Sequence, residues 1–372
     1  MHSRERLVAA IRRQDVDRVP ANITYYTQDF AQAHFPLREG QDRREAHLEA
    51  YTRFGFDPLV GVGGGEARPW RASDPDRWEV TEESRQTPEG YLQIHYRIHT
   101  PAGDLSTVYT QENQLSGWQE EPLVKGEDDL AALAHLPRPH VDVAAVDAAV
   151  DRLGDRGLGY IGVNGLWQQA CYLRDMAEMA MDPLIRPDWA ERFLGIVGDY
   201  LAEQARALCR SKAEAFFINE SYLGMGMSPR MFDRFVRPHD ERLIQIAKDA
   251  GKLVLYHDCG LGRALLERFA DMGIDYLETL TPPGAQGDIE LEDARRRIGD
   301  RVSFRGAFNQ QVLETGTPDD IEAEVLRCLE TMAPGRGYIL CPSGPILGSV
   351  PMDNLQAFAD AARTHCGRYG HG

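Results

Sequence analysis

From about residue 140 onward, short apolar runs alternate with longer amphipathic stretches, and that rhythm leaves few folds open. Strand candidates fall at 159–163, 215–219, 252–256, 274–278, 302–305 and 338–341. Helical stretches separate them at 166–181, 188–209, 229–250, 261–272, 290–297, 318–332 and 352–366. Strand–helix alternation of this kind implies a parallel sheet with helices packed on it. A further strand is expected in Arg18-Val-Pro-Ala-Asn-Ile-Thr24, after an amphipathic helix over 3–13 capped by Ser3. With one or two such strands near the N-terminus, the α/β class and a (β/α)8 TIM-type barrel follow as the expected closure. Residues 76–112 depart from the rhythm. Arg77–Val80, Tyr91–Ile98 and Leu105–Tyr109 alternate, with Gly- and Pro-containing turns between them, which predicts an antiparallel β-meander inserted in the N-terminal third. The expected organisation is one barrel domain over 1–372 with this excursion inside it.

In a barrel of this kind the chemistry gathers at the C-terminal ends of the strands. Four residues fall there. His257 and Cys259 follow the run Lys252-Leu-Val-Leu-Tyr256, Glu278 ends Ile274-Asp-Tyr-Leu-Glu278, and Cys341 closes Gly337-Tyr-Ile-Leu-Cys341. Residues two apart on a strand share a face, so an imidazole and a thiolate reach one point, while Asp258 points the other way. Two thiolates, an imidazole and a carboxylate form a tetrahedral set that favours Zn2+ over harder ions. A buried Cys or a strand-end His is ordinary when met singly; the combination is what points to a metal. Glu220 is the rival for the fourth ligand.

Other strand ends supply candidate contacts. Asn219 and Glu220 follow Ala215-Phe-Phe-Ile218 and are placed to orient substrate or relay a proton. Asn164, Asn309 and Ser343 sit at comparable positions, and Tyr25 and Tyr26 lie on the first loop. Asn and Ser are equally at home as turn caps. Val60-Gly-Val-Gly-Gly-Gly-Glu66 looks like a nucleotide loop, but Pro69 prevents the helix such a loop must enter. His239 is read as a solvated or inter-helix residue, and Met225 and Met227 as core packing.

Composition narrows the partners. Lys and Arg number 41 against 58 Asp and Glu, a net charge of −17, which argues against nucleic acid and anionic membrane as partners. Six cysteines in 372 residues do not read as a disulfide framework and fit a reducing, cytoplasmic setting. No apolar run is long enough to span a bilayer, and the first residues lack the apolar core of a signal peptide.

Several segments together resemble the uroporphyrinogen decarboxylase superfamily: Ser3-Arg-Glu-Arg-Leu7 through Asp17-Arg-Val-Pro20, Ser228-Pro-Arg-Met-Phe-Asp-Arg-Phe-Val-Arg-Pro238, Gly306-Ala-Phe-Asn309 and Pro351-Met-Asp-Asn354. The resemblance runs over nearly the whole chain and implies a (β/α)8 barrel; a homodimer would match the family. His257-Asp-Cys259 with distant Cys341 is similar to the zinc methyltransferases that move methyl groups between corrinoid proteins and thiols, such as the methylcobamide:coenzyme M enzymes. Leu277-Glu278-Thr279 resembles the segment that supplies the carboxylate ligand in cobalamin-independent methionine synthase. Porphyrinogen decarboxylases open their pocket with Arg-Gln-Ala-Gly-Arg, whereas the corresponding Asn22-Ile-Thr-Tyr-Tyr-Thr-Gln-Asp29 has no arginine. The loop Pro282–Asp288 and the meander differ from the coenzyme M enzymes, so the acceptor thiol stays open.

The expected chemistry is zinc-dependent activation of a small-molecule thiol for attack on a methyl group. The methyl donor would be methylcobalamin on a separate corrinoid protein, since no B12-binding segment is recognisable; folate or a small methylated metabolite stays open as donor. Two alternatives stand beside it: a decarboxylase or other lyase on the same barrel, which needs cationic groups for a polyacid, and a non-catalytic protein with a closed zinc site.

Overall fold

The computed structural model describes residues 1–37, 43–112 and 117–370. Seven strands form one parallel sheet: β1 (Leu59–Gly64), β6 (Leu158–Asn164), β7 (Ala215–Asn219), β8 (Leu253–Asp258), β9 (Tyr276–Thr279), β10 (Ser303–Phe308) and β11 (Tyr338–Pro342), neighbours in that order. The intervening segments β2 (Glu79–Gln86), β3 (Leu92–Thr100), β4 (Gly103–Gln111) and β5 (Gly117–Glu121) make a separate antiparallel sheet. The architecture is a curled, TIM-barrel-like α/β fold. β8, β10 and β11 are buried along nearly their whole length on both faces, as a parallel sheet beneath helices requires.

The eighth position differs from expectation. Residues 18–24 read as a strand, yet among the described residues they make one bridge, Ala21 beside Leu340. Asn22 N–H donates to Leu340 O at 2.8 Å and Leu340 N–H to Pro20 O at 2.9 Å. Two features stop the ladder there. Pro20 has no N–H to give, and the N–H of Ala21 donates to the Asp57 carboxylate at 3.2 Å. Fully buried Asp57 also binds Arg6 at 2.6 Å and Arg18 at 2.9 Å, so side chains tie this segment to the chain just ahead of β1.

β1 is the strand the sequence concealed, because glycine is poor in strands. Its glycines answer to packing instead. A Cβ on Gly63 would lie 2.6 Å from Val146, and one on Gly65, just beyond the strand, 2.0 Å from Gln204. Helices Val143–Leu153 and Pro187–Leu208 therefore come close to the sheet here, which accounts for the run without any nucleotide.

The meander runs on to Glu121, past the expected end at 112. Ile94, Ile98, Leu105 and Tyr109 join the same buried apolar cluster as the barrel strands, while β2 is almost entirely exposed. The expected helix over 166–181 is two helices, Leu166–Leu173 and Met176–Ile185. Asp175 caps the second by accepting from Ala177 N–H and Glu178 N–H. Between the Ser228 cap and Arg237–Asp249, a π-helical turn over Phe232–Val236 precedes Pro238, which has no N–H to offer an unbroken helix. No helix among the described residues is long and apolar enough to cross a membrane.

Candidate active site at the barrel mouth

Strand register brings the site together. Asn219 pairs with His257 between β7 and β8, and His257 pairs with Glu278 between β8 and β9. His257 Nδ1 lies 2.9 Å from Glu278 Oε1. The other oxygen of Glu278 accepts from Tyr276 OH and from Arg305 Nη1, a guanidinium on β10. Arg305 Nη2 donates to Asn22 Oδ1 at 2.7 Å and to Ile23 O at 2.8 Å, which joins the N-terminal segment to the site.

These contacts set the charges. Burial pushes the Glu278 carboxyl upward, but Arg305 and His257 outweigh it and hold the group at about 2. Burial alone would lower His257; Cys259 and Glu278 on either side raise it to about 10. Arg305 stays cationic against its burial because Cys341, Tyr276 and Glu278 surround it. Burial raises the Cys341 thiol, with Arg305 pulling the other way. Cys341 Sγ lies 3.6 Å from Thr24 Oγ1, and Cys259 Sγ lies 3.4 Å from Ser221 O.

Donor chemistry suits zinc: an imidazole beside a thiol, with a second thiol on β11 coupled to the same Arg305–Glu278 pair. Among the described residues, however, no three His, Cys, Asp or Glu side chains stand close enough together to enclose an ion. Glu278 has both oxygens engaged. That is the arrangement of a carboxylate that orients a histidine ligand from behind. An ion here would require His257, Cys259 and Cys341 to draw closer together, with Glu278 behind the imidazole.

Glu220 is fully buried and turned elsewhere. Its oxygens accept from Trp167 N–H at 2.7 Å and Gln168 N–H at 2.9 Å, at the start of the helix Leu166–Leu173. It is therefore not brought to His257, as ligand or as proton relay. Asn219 faces the cavity and accepts from Ser221 Oγ at 2.8 Å. Asn164 bonds Gln168 and Gln169, Asn309 caps the helix Gln310–Thr315, and Ser343 accepts from Gln310 N–H; each is a loop-fixing residue here. Tyr26 is packed among Phe30, Phe35 and Tyr51, whereas Tyr25 is half exposed and lines the cavity.

The cavity holds about 240 Å3 and runs from His257, Asn219 and Glu278 down to Tyr160 and Arg305. Sequence reasoning missed Arg305 and Tyr276. A lone arginine inside Ser303-Phe-Arg-Gly-Ala-Phe308 was the available signal. Every residue of that strand is buried, so a charge there must have a partner.

Comparison with known proteins places the chain in a family and supports its fold. The profile of the family described as Uroporphyrinogen decarboxylase (URO-D) matches residues 108–365. A uroporphyrinogen decarboxylase of Methylibium petroleiphilum is 30% identical over 240 residues, covering 60% of this chain and 62% of that protein. One of Trichodesmium erythraeum is 25% identical over 215 residues, covering 55% and 57%. The chain thus spans about three fifths of the length of these relatives. Among solved structures, a methyltransferase from Methanosarcina mazei superposes with a TM-score of 0.65 at 18% identity, covering 98% of this chain and 99% of that one. At that identity it supports the fold alone.

Proposed function

The chain belongs to the uroporphyrinogen decarboxylase family, and on that premise we propose that it is a zinc-dependent methyltransferase acting on a small-molecule thiol. The observation that carries the reading is His257 beside Cys259 at the end of β8, with Glu278 fixed on His257 Nδ1. Zinc, when bound, would supply a thiolate at neutral pH. His257, Cys259 and Cys341 would be its ligands. The remaining tasks fall to the chain's own groups. Glu278 holds the imidazole so that Nε2 faces the ligand position. Arg305 offsets the charge of Glu278 and of the Cys341 thiolate inside the barrel. Asn219 and Tyr25 line the cavity that reaches His257. In the balanced reaction, R–SH loses its proton to solvent, a sulfur–carbon bond forms, and the methyl–cobalt(III) bond of a donor on a separate corrinoid protein breaks with both electrons left on cobalt.

The test is zinc content with X-ray absorption at the zinc edge, on wild type and Cys259→Ala, with and without added thiols. One zinc with about two sulfur neighbours, gaining a third with thiol, is expected. Methyl transfer from methylcobalamin to the same thiol should follow. A protein that takes up no zinc, or whose coordination is indifferent to thiol, ends this reading.

A decarboxylase reading has the relatives' names behind it. Two cationic groups stand in the cavity wall, Arg305 and His257, and both are already committed to Glu278. A polyacid needs several such groups. Release of carbon dioxide from uroporphyrinogen would favour that reading over methyl transfer. A zinc that stays four-coordinate to protein alone would favour a purely structural site.

A further inference from the structure

A second and larger cavity, about 510 Å3, lies outside the sheet where residues 24–25 pass β1, between the helices Arg43–Phe54 and Val143–Leu153. It sits at the seam left by the single bridge at Ala21. Its wall is mostly hydrocarbon: Leu48, the ring of Tyr51, Val60, Ala149 and Leu153. Tyr51 turns its hydroxyl away onto Ile23 O at 3.3 Å. The charged groups are at one edge, where Arg152 lines the cavity and Glu45 pairs with Arg156 at 2.7 Å. Thr24, Tyr25, Leu59 and Tyr160 line both this cavity and the one that holds His257, so these four side chains are the partition between them.

A cavity of this size matches the volume of small-molecule sites. Its apolar wall adjoins a reaction chamber too small for a long substrate. We propose that it receives the hydrocarbon substituent of the substrate, so that the acceptor is a thiol bearing an alkyl or aryl group of several carbons. This rests on the methyl-transfer reading for the thiol end only. The substituent passes between Tyr25 and Tyr160 and displaces no ion pair. Selectivity for the acceptor is then set by the seam rather than by the residues at the barrel mouth.

The test is calorimetric titration of the zinc-loaded full chain with the normal alkanethiols from ethyl to octyl, and in parallel with the matching alkanols, which carry the tail without the thiol. Affinity should rise about fourfold per added methylene in both series until the cavity is full. Ala149→Phe, which narrows the cavity, should collapse the octyl-to-ethyl ratio, and Leu153→Ala should move the optimum to a longer chain. Chain-length dependence in the alkanols together with no methylation of any thiol would leave the cavity assigned and end the methyl-transfer reading. Flat affinity across both series in the wild type would overturn the cavity assignment whatever the fate of the thiols. A ratio unchanged in a folded Ala149→Phe protein would overturn it equally.

Discussion

Two groups of buried acids sit on either side of β8 and are treated in opposite ways. On the β9 side, Glu278 has a guanidinium, a phenol and an imidazole on its two oxygens, and it stays ionised. On the outer side, Glu220 lies within electrostatic reach of Asp240 and Asp258, and none of the three is bonded to an Arg or Lys among the described residues. Burial raises all three: Glu220 well above the ordinary range, helped by Asp240; Asp240 to about 6; and Asp258 to about 7, with neither oxygen in a full hydrogen bond. The difference lies in the partners of Glu278, Arg305 first and His257 with it. A barrel interior supports a permanent negative charge where it also supplies a cation, and elsewhere it prefers the neutral acid.

Removing the cation breaks this contrast most severely. Arg305→Met should leave Glu278 buried without its partner and cost about 3–5 kcal/mol in denaturant unfolding. Adding Glu278→Gln to that variant should recover much of the loss, because no charge is then stranded. The next effect lies on the other side. Tyr256→Phe takes from Asp240 the phenol that donates to Oδ2 at 2.7 Å, and about 1–2 kcal/mol should be lost.

The pH dependence sharpens the comparison. Asp240 has a folded value near 6, above its ordinary value near 4. The folded protein therefore holds this proton more tightly than the unfolded chain. Its contribution is present below about pH 4 and is lost as pH rises toward about 6. Asp240→Asn should flatten that part of a Tm-against-pH curve, and an unchanged slope would mean that Asp240 is ionised when folded. The smallest effect belongs to Glu220→Gln. The amide oxygen keeps one of the two N–H bonds at the helix start, so a loss of about 0.5–1 kcal/mol is expected by thermal unfolding.

The half of the site that could be read in advance was the half written in strand periodicity. His257 and Cys259 lie two apart after an apolar run, and Cys341 and Glu278 end similar runs, so the parallel sheet placed them at one end. Arg305 was not legible, since its meaning lies in partners 27 and 283 residues away, Glu278 and Asn22. Glu220 was misjudged for the same reason. A carboxylate just after a strand looks like a catalytic group until the start of the helix Leu166–Leu173 is seen against it. In the fold, β1 stayed hidden because its glycines serve close helix packing, and the strand expected over 18–24 shrank to a bridge because Asp57 diverts the Ala21 N–H.

That bridge also has a consequence in time. Ala21 is made well before its partner Leu340, with nearly the whole sheet between them. At about 5–20 residues per second, the N-terminal segment must wait on the order of 20–60 s for β11 to leave the ribosome. During that interval Tyr26 and Phe30 can already pack on Phe35 and Tyr51, while the bridge from Ala21 to Leu340 stays open. The seam at Ala21 therefore closes only when β11 arrives, after the other six strands of the sheet have been made.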